Sequence, residues 1–281
     1  MKKPFQIKTF NSKALILLII VSGVFGCIKK TSNSKLTCDS IPGLDSLLSR
    51  EKIILLGEIH GTKEGPRFVE QIVCHALEDS LSISIGLELP YFDEQVIKTF
   101  INSKGEISDK SKILNLPFWS QDYQDGRTSK AMLNLLEALR VLKANGADIE
   151  IFLLDDPKSS DRNIEMARRI IHKAKEKPSN FLIVLTGNYH NMIHKGSGQM
   201  GRYVLDEFGE KRVVSLNQSY SGGTAWIDTT GKGAAATKVK GRSKNHIGIF
   251  FGTKTDKYHG TFGVDSIHHS VPAKRLINQN R

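Results

Sequence analysis

Apolar residues in this chain gather in short continuous runs rather than in strict alternation. Runs rich in Ile, Val and Leu occupy residues 53–56, 83–89, 149–154, 181–185 and 212–216. A strand wetted on one face alternates polar and apolar positions, so continuous runs predict strands covered on both faces, as in a parallel sheet. Between the runs the apolar spacing widens to three and four residues. Pro66 suits the first turn of a helix in which Phe68, Ile72, Val73, Ala76 and Leu77 share a face. Ser129 is placed to cap a helix over 131–144 that stops at Gly146, and Ser160 or Asp161 to cap one carrying Ile164, Ala167, Ile170 and Ile171. This alternation over residues 50–220 predicts an α/β fold: a mixed, largely parallel sheet layered by helices. From about Gly222 glycines multiply and short strand-like pieces such as 247–251 appear, predicting an irregular β-rich C-terminal extension of the same domain.

The N-terminus follows another pattern. Lys2, Lys3, Lys8 and Lys13 precede an uncharged run, residues 14–26, that is thirteen residues long. That is the layout of a signal peptide, and it falls short of the roughly 20 residues a helix needs to cross a bilayer. The run ends Val24, Phe25, Gly26, Cys27, which resembles a lipobox, although Phe25 stands where a small residue is usual. The reading is a lipoprotein signal over 1–26, a lipidated Cys27 with a flexible tether over 27–40, and a single domain over 41–281. It places the protein in the cell envelope, lipid-anchored and facing the periplasm or exterior.

Charge changes this picture little. The net charge of +11 falls to +7 without the four signal lysines, and residues 232–281 hold ten Lys/Arg against Asp256 and Asp265. A solvated basic face is the first reading of that tail and an anionic membrane surface the second. No nucleic-acid motif accompanies the basic residues. Beyond Cys27 there are only Cys38 and Cys74, without CxxC spacing; a disulfide and a pair of separate thiols are equally compatible with the spacing.

Ligands of open α/β sheets bind beyond the carboxyl ends of the strands. The first run leads into Gly57, Glu58, Ile59, His60; the second holds Glu88; the third ends in Asp155 and Asp156; the fourth leads into Gly187, Asn188, Tyr189, His190. Glu58 and Asp155 could each be caps or loop residues, and either histidine a structural one. Glu88 lies among Ile85, Leu87, Leu89 and Pro90, where an unpaired carboxylate is costly; burial there would raise its pKa into the range of a general acid or base. Asp122, Asp125 and Arg127 form a second cluster before a helix, where Arg127 either clamps an anionic group or makes a structural ion pair. Arg162 begins a helix that could point into the same crevice. His194, His246, His259, His268 and His269 have no clear place, and adjacent strand residues such as the last two face opposite sides.

These residues carry a resemblance. Gly57, Glu58 and His60 with Gly61, Thr62 and Glu64, then Glu88, then Arg162, Met166 and Ala167, then Gly187, Asn188 and His190, resemble in order the motifs of the superfamily joining erythromycin esterases, ChaN haem-binding lipoproteins and TraB/Tiki proteases. Gln124–Arg127 with Ser129, Ala131 and Met132, and residues 221–226, are similar to an exported ChaN/Tiki-like subgroup. Some of its members carry cysteines after the tryptophan, where Asp228, Thr229 and Thr230 stand here. The resemblance implies an EreA/ChaN-like fold and leaves several chemistries open. The first is hydrolysis of an ester or amide of a small molecule or peptide. In it Glu58, His60, Glu88 and His190 are catalytic, Arg127, Arg162, Asp125 and Asn188 bind substrate, and His60, Glu88 and His190 hold a divalent metal if one is used. The alternative is a lipoprotein that binds haem or iron for uptake through His190, His194 or Tyr189. A third is a degenerate domain serving an envelope complex.

Overall fold

Five buried strands carry the architecture of this computed structural model, which describes residues 38–121, 123–228, 233–241, 247–252 and 256–274. In chain order its elements begin β1 (Ile53–Glu58), α1 (Glu64–Glu78), β2 (Ile83–Pro90), α2 (Glu94–Ile101), α3 (Ile107–Leu114), α4 (Pro117–Ser120), α5 (Lys130–Ala144) and β3 (Ile149–Asp155). They continue α6 (Arg162–Glu176), β4 (Phe181–Gly187), α7 (Met200–Phe208), β5 (Val213–Ser219), β6 (Gly222–Ile227), β7 (Ala235–Lys240), β8 (Gly248–Phe251) and β9 (Gly260–Gly263). The chain divides at Lys35/Leu36, and every described residue lies in the second unit. The signal segment, Cys27, Asp122 and His246 lie outside the described residues. Among the described residues no helix is long and apolar enough to cross a membrane.

The main sheet has seven strands in the order β3-β2-β4-β1-β5-β9-β8, all parallel except β8, which runs antiparallel to β9. Each of the five apolar runs forms a strand. Alternate residues feed two cores: Ile54 and Leu56, Ile151 and Leu153, Ile183 and Leu185 pack with α1 to α5, while Ile53, Leu55, Phe152, Leu154, Leu182 and Val184 pack with α6 and α7. β2 is the exception. Its Ile83, Ile85, Leu87 and Leu89 fill the first core, but on the α6 face it presents Ser84, Gly86 and Glu88. Gly86 leaves room for the Phe152 ring, which a β-carbon would meet at 2.8 Å. A carboxylate is thus carried on the central sheet toward the start of α6.

Ser129 accepts from Met132 N at the start of α5, and Asp161 rather than Ser160 caps α6, accepting from Ile164 N. Ile164 itself is exposed; Met166, Ala167 and Ile170 make the buried face. The C-terminal extension is the antiparallel pair β6–β7 together with β8 and β9, which continue the main sheet beside β5.

Cys38 and Cys74 form a disulfide with a Cα–Cα separation of 5.7 Å, closing 36 residues of separation. Chain-entropy arguments give such a loop about 4 kcal/mol. Cys74→Ser is expected to lower the unfolding free energy in urea by about 2–4 kcal/mol, and a reducing agent to lower the wild type to the same level; an unchanged midpoint would show that the bond adds nothing to stability.

Candidate active site

The carboxyl ends of β1, β2, β3 and β4 deliver Glu58, Glu88, Asp155 and Gly187 to one place, and the loop before α5 and the first residue of α6 add Arg127 and Arg162. Glu88 is at the centre and 4% exposed. Its Oε1 accepts from Arg162 Nη2 at 3.0 Å and Arg127 Nη1 at 3.2 Å, and lies 3.5 Å from His190 Nε2. Its Oε2 accepts from Gly187 N at 2.7 Å and lies 3.3 Å from His60 Nε2. Asp155, fully buried, bridges the same two arginines, accepting from Arg162 Nε at 2.7 Å and Arg127 Nη1 at 2.8 Å. Asp125 takes the rest of the Arg127 fork, with Nε at 2.9 Å and Nη2 at 2.6 Å. The Arg127 guanidinium also lies 4.8 Å from the centroid of the Phe118 ring.

The two histidines differ in their second contacts. His60 Nδ1 is 3.1 Å from Glu58 Oε1, so this ring is held between two buried carboxylates. His190 Nδ1 is 2.7 Å from Asn163 Oδ1, an amide oxygen that can only accept. That oxygen also accepts from Met200 N at 3.3 Å. The His190 proton therefore sits on Nδ1, leaving a lone pair on Nε2.

Electrostatics follow from these contacts. Burial alone would lower the His60 pKa, but Glu88 and Glu58 overcome it and raise the ring to about 10. Burial lowers His190 below its ordinary value; Glu88 pulls the other way, while Arg162 and His60 add to the lowering. Glu58 is raised by burial, only partly opposed by His60. Glu88 corrects the expectation of a raised pKa: burial does push it up, but His60, then Arg127 and His190, hold it well below the usual carboxylate range. Arg127 is raised, its carboxylate partners outweighing burial. These surroundings favour an ionised Glu88 and a protonated His60, and disfavour protonation of His190.

Missing side chains let the groups close up. A β-carbon on Gly187 would lie 2.9 Å from His60 Nε2, and one on Gly65 would collide with the Glu58 carboxylate. Gly65→Ala is expected to cost about 1–3 kcal/mol by overpacking and to pull Glu58 from His60. An NMR titration should then find the His60 pKa below its wild-type value; an unmoved titration would mean that Glu58 does not set it.

Trp226 and residues 268–273 clamp the two loops. Gly61 O accepts from Trp226 N at 3.0 Å and Ser270 N at 2.8 Å, while Lys63 N donates to His268 O. Lys130 N donates to Val271 O and Ala273 N to Thr128 O. The C-terminal extension thus fixes both the His60 loop and the Arg127 loop.

Of the residues expected at a site, Glu58, His60, Glu88, Asp125, Arg127, Arg162 and His190 converge. Asn188 contributes backbone: its N donates to Glu58 O, and its O accepts from Tyr258. Arg127 is enclosed by carboxylates, the structural ion pair of the two roles open to it, whereas the Arg162 side chain remains 34% exposed. His268 binds Glu64 and His269 binds Thr224, both away from Glu88. His259 accepts from Ser215 N, and His194 Nδ1 is buried without a partner. Asn163 was not foreseen; its place directly after Arg162 at a helix start was the only cue.

A divalent ion on His60, Glu88 and His190 does not fit. Their donor atoms do not form a mutually close trio; among the described residues the one set within 4.8 Å of one another is Cys38, His75 and Glu78. Two guanidinium groups already stand against Glu88 and Asp155, where a metal would have to bind.

The fold and site together define an α/β protein with a carboxylate–arginine–histidine centre at the strand ends. Among solved structures, the fold is similar to a succinoglycan biosynthesis protein, at 9% identity and a TM-score of 0.61, covering 81% of this chain and 91% of that one. A Bacillus cereus protein matches at 11% identity and a TM-score of 0.60, over 82% and 92%. An erythromycin esterase, EreC in its open conformation, matches at 12% identity and a TM-score of 0.53, over 70% and 78%. The architecture is therefore the erythromycin-esterase-like fold. No family model and no curated protein matches the sequence.

Proposed function

We propose that this protein is an envelope lipoprotein, anchored through Cys27, that hydrolyses ester or amide bonds by metal-free general acid–base catalysis. The observation that carries the hydrolytic reading is one buried carboxylate, Glu88, within 3.5 Å of two histidines whose surroundings shift their pKa values in opposite directions. His190 Nε2 takes the proton of an attacking water, and the imidazolium it becomes forms 3.5 Å from Glu88 Oε1. His60, protonated below pH of about 10, returns a proton to the leaving group. Arg162, the more exposed arginine, faces the negative charge that develops on the carbonyl oxygen. Glu88 and Asp155 hold histidines and arginines in register, and Asn163 fixes the His190 tautomer. The export reading is supported by the lysine-rich start and apolar run, and by the Cys38–Cys74 disulfide, which suits an oxidising compartment.

The test is a panel of chromogenic esters and peptide amides offered to the wild type, to His60→Ala and to His190→Ala, with a haem titration alongside. Turnover lost in both variants is expected. Wild-type inactivity across the panel together with a Soret band that Tyr189, His190 or His194 variants abolish would replace hydrolysis by haem capture.

A further inference from the structure

A second cluster of donor groups lies away from the Glu88 centre, where the start of the described chain meets α1. The Cys38 sulfur, a His75 ring nitrogen and a Glu78 carboxylate oxygen all lie within 4.8 Å of one another, and Cys74 is bonded to Cys38. Cys74, His75 and Glu78 share α1, with Glu78 one turn beyond the other two. We propose that once the Cys38–Cys74 disulfide is reduced, Cys38, Cys74, His75 and Glu78 bind one zinc ion.

Three features support this. The donor set, two sulfurs, one imidazole and one carboxylate, is of the kind that satisfies tetrahedral zinc. The ring is already oriented: His75 Nε2 donates to Asp39 O at 2.8 Å, so the lone pair is on Nδ1, the nitrogen 3.5 Å from Glu78 Oε2. A backbone carbonyl behind a histidine is the outer-shell partner that metal-bound imidazoles use. Finally, Cys38 would stay in place after reduction, because Asp39 is tied to α1 independently of sulfur. Its N donates to Gln71 Oε1 at 2.7 Å, and its carboxylate accepts from Arg67 Nη2 at 2.9 Å.

The exchange balances. A dithiol or phosphine reductant delivers two electrons, cleaving the S–S bond, and two protons give two thiols. Zinc then displaces those two protons to solvent and binds two thiolates, the His75 lone pair and the Glu78 carboxylate. The two sulfurs must part to about 3.8 Å to share an ion at 2.3 Å each. Oxidised, the site is a covalent staple; reduced, it becomes a metal staple joining the same two segments. The proposal is independent of the hydrolytic reading.

The test uses the full chain in detergent, reduced with a phosphine, and cobalt as a spectroscopic stand-in for zinc. One equivalent of cobalt is expected to give a thiolate charge-transfer band and the strong visible bands of tetrahedral cobalt, both erased by zinc. The oxidised chain should give neither. Cys27→Ser should bind as the wild type does, and Cys38→Ser should not. His75→Ala and Glu78→Gln leave the disulfide intact and should weaken zinc binding roughly tenfold or more. Zinc should also raise the urea midpoint of the reduced wild type and leave the oxidised midpoint unchanged. A reduced chain that takes up no cobalt, binding indifferent to His75 and Glu78, or a reduced chain that unfolds and is not restored by zinc would each overturn the proposal.

Discussion

If the proposed hydrolysis of an ester or amide holds, log kcat/KM is expected to rise along an acid limb below pH 6.5, run flat through neutrality, and fall near pH 10. The acid limb belongs to His190, whose pKa burial lowers and whose Nε2 must be unprotonated to act as base. The alkaline limb belongs to His60, raised to about 10 between two carboxylates and required in its protonated form. His190→Ala should lose about 10²–10⁴ in kcat, the usual contribution of a general base, and with it the acid limb. Asn163→Leu removes an acceptor rather than a reacting group, so it should depress kcat less while shifting that limb. If activity instead climbed only on approach to pH 10, His60 would be the base and the assignment would be reversed.

The second large effect is on stability. Arg127→Met is expected to cost about 3–5 kcal/mol in urea denaturation, because it strands buried Glu88 and Asp155 with fewer compensating charges. Arg168, paired with Glu165 on the surface, is the comparison: Arg168→Ala should change stability by less than about 1 kcal/mol. Adding Glu88→Gln to Arg127→Met should recover part of the loss by removing a stranded charge. The same centre biases acid unfolding. Glu88 and Asp125 have folded pKa values below their ordinary ones, so they bind fewer protons folded than unfolded. Their contribution is complete above about pH 4.5 and is lost as pH falls through the depressed values. Glu58, raised by burial, works in the opposite sense and stabilises on the acid side. A cost below 1 kcal/mol for Arg127→Met would mean that the site opens to water and its ion pairs are not buried in solution.

The sheet was legible because its central strands are covered on both faces and leave continuous apolar runs. Of the three fifteen-residue helices, α5 and α6 showed through capping residues, Ser129 and Asp161, and α1 through Pro66 and its apolar spacing. α2, α3, α4 and α7 did not show. α2 follows β2 after a single turn with no Ser or Thr cap, and α3 is capped by Glu106 and Asp109, an acidic pair that the usual signature misses. Most of the site was legible for a topological reason: residues after parallel strands share one edge of the sheet, so Glu58, Glu88 and His190 could be grouped without knowing the strand order. Sequence position could not show which charges would surround Glu88, so the sign of its pKa shift was misread. Nor could it reveal Asn163, whose role depends on where α6 begins relative to a loop that follows β4.

The place of β1 in the sheet bears on how the chain comes together in time. Among the described residues β1 is the first strand in chain order, yet both neighbours come much later: Ile53 pairs with Leu182 on one side and Val213 on the other. Its backbone hydrogen bonds cannot be completed until β5 has left the ribosome. Until then an apolar strand of high β-propensity waits unpaired, the condition under which chains associate wrongly. Refolding in vitro should accordingly be slow and sensitive to protein concentration. Because His60 follows directly on that strand, the Glu88 centre, and any turnover that depends on it, should be the last property to return.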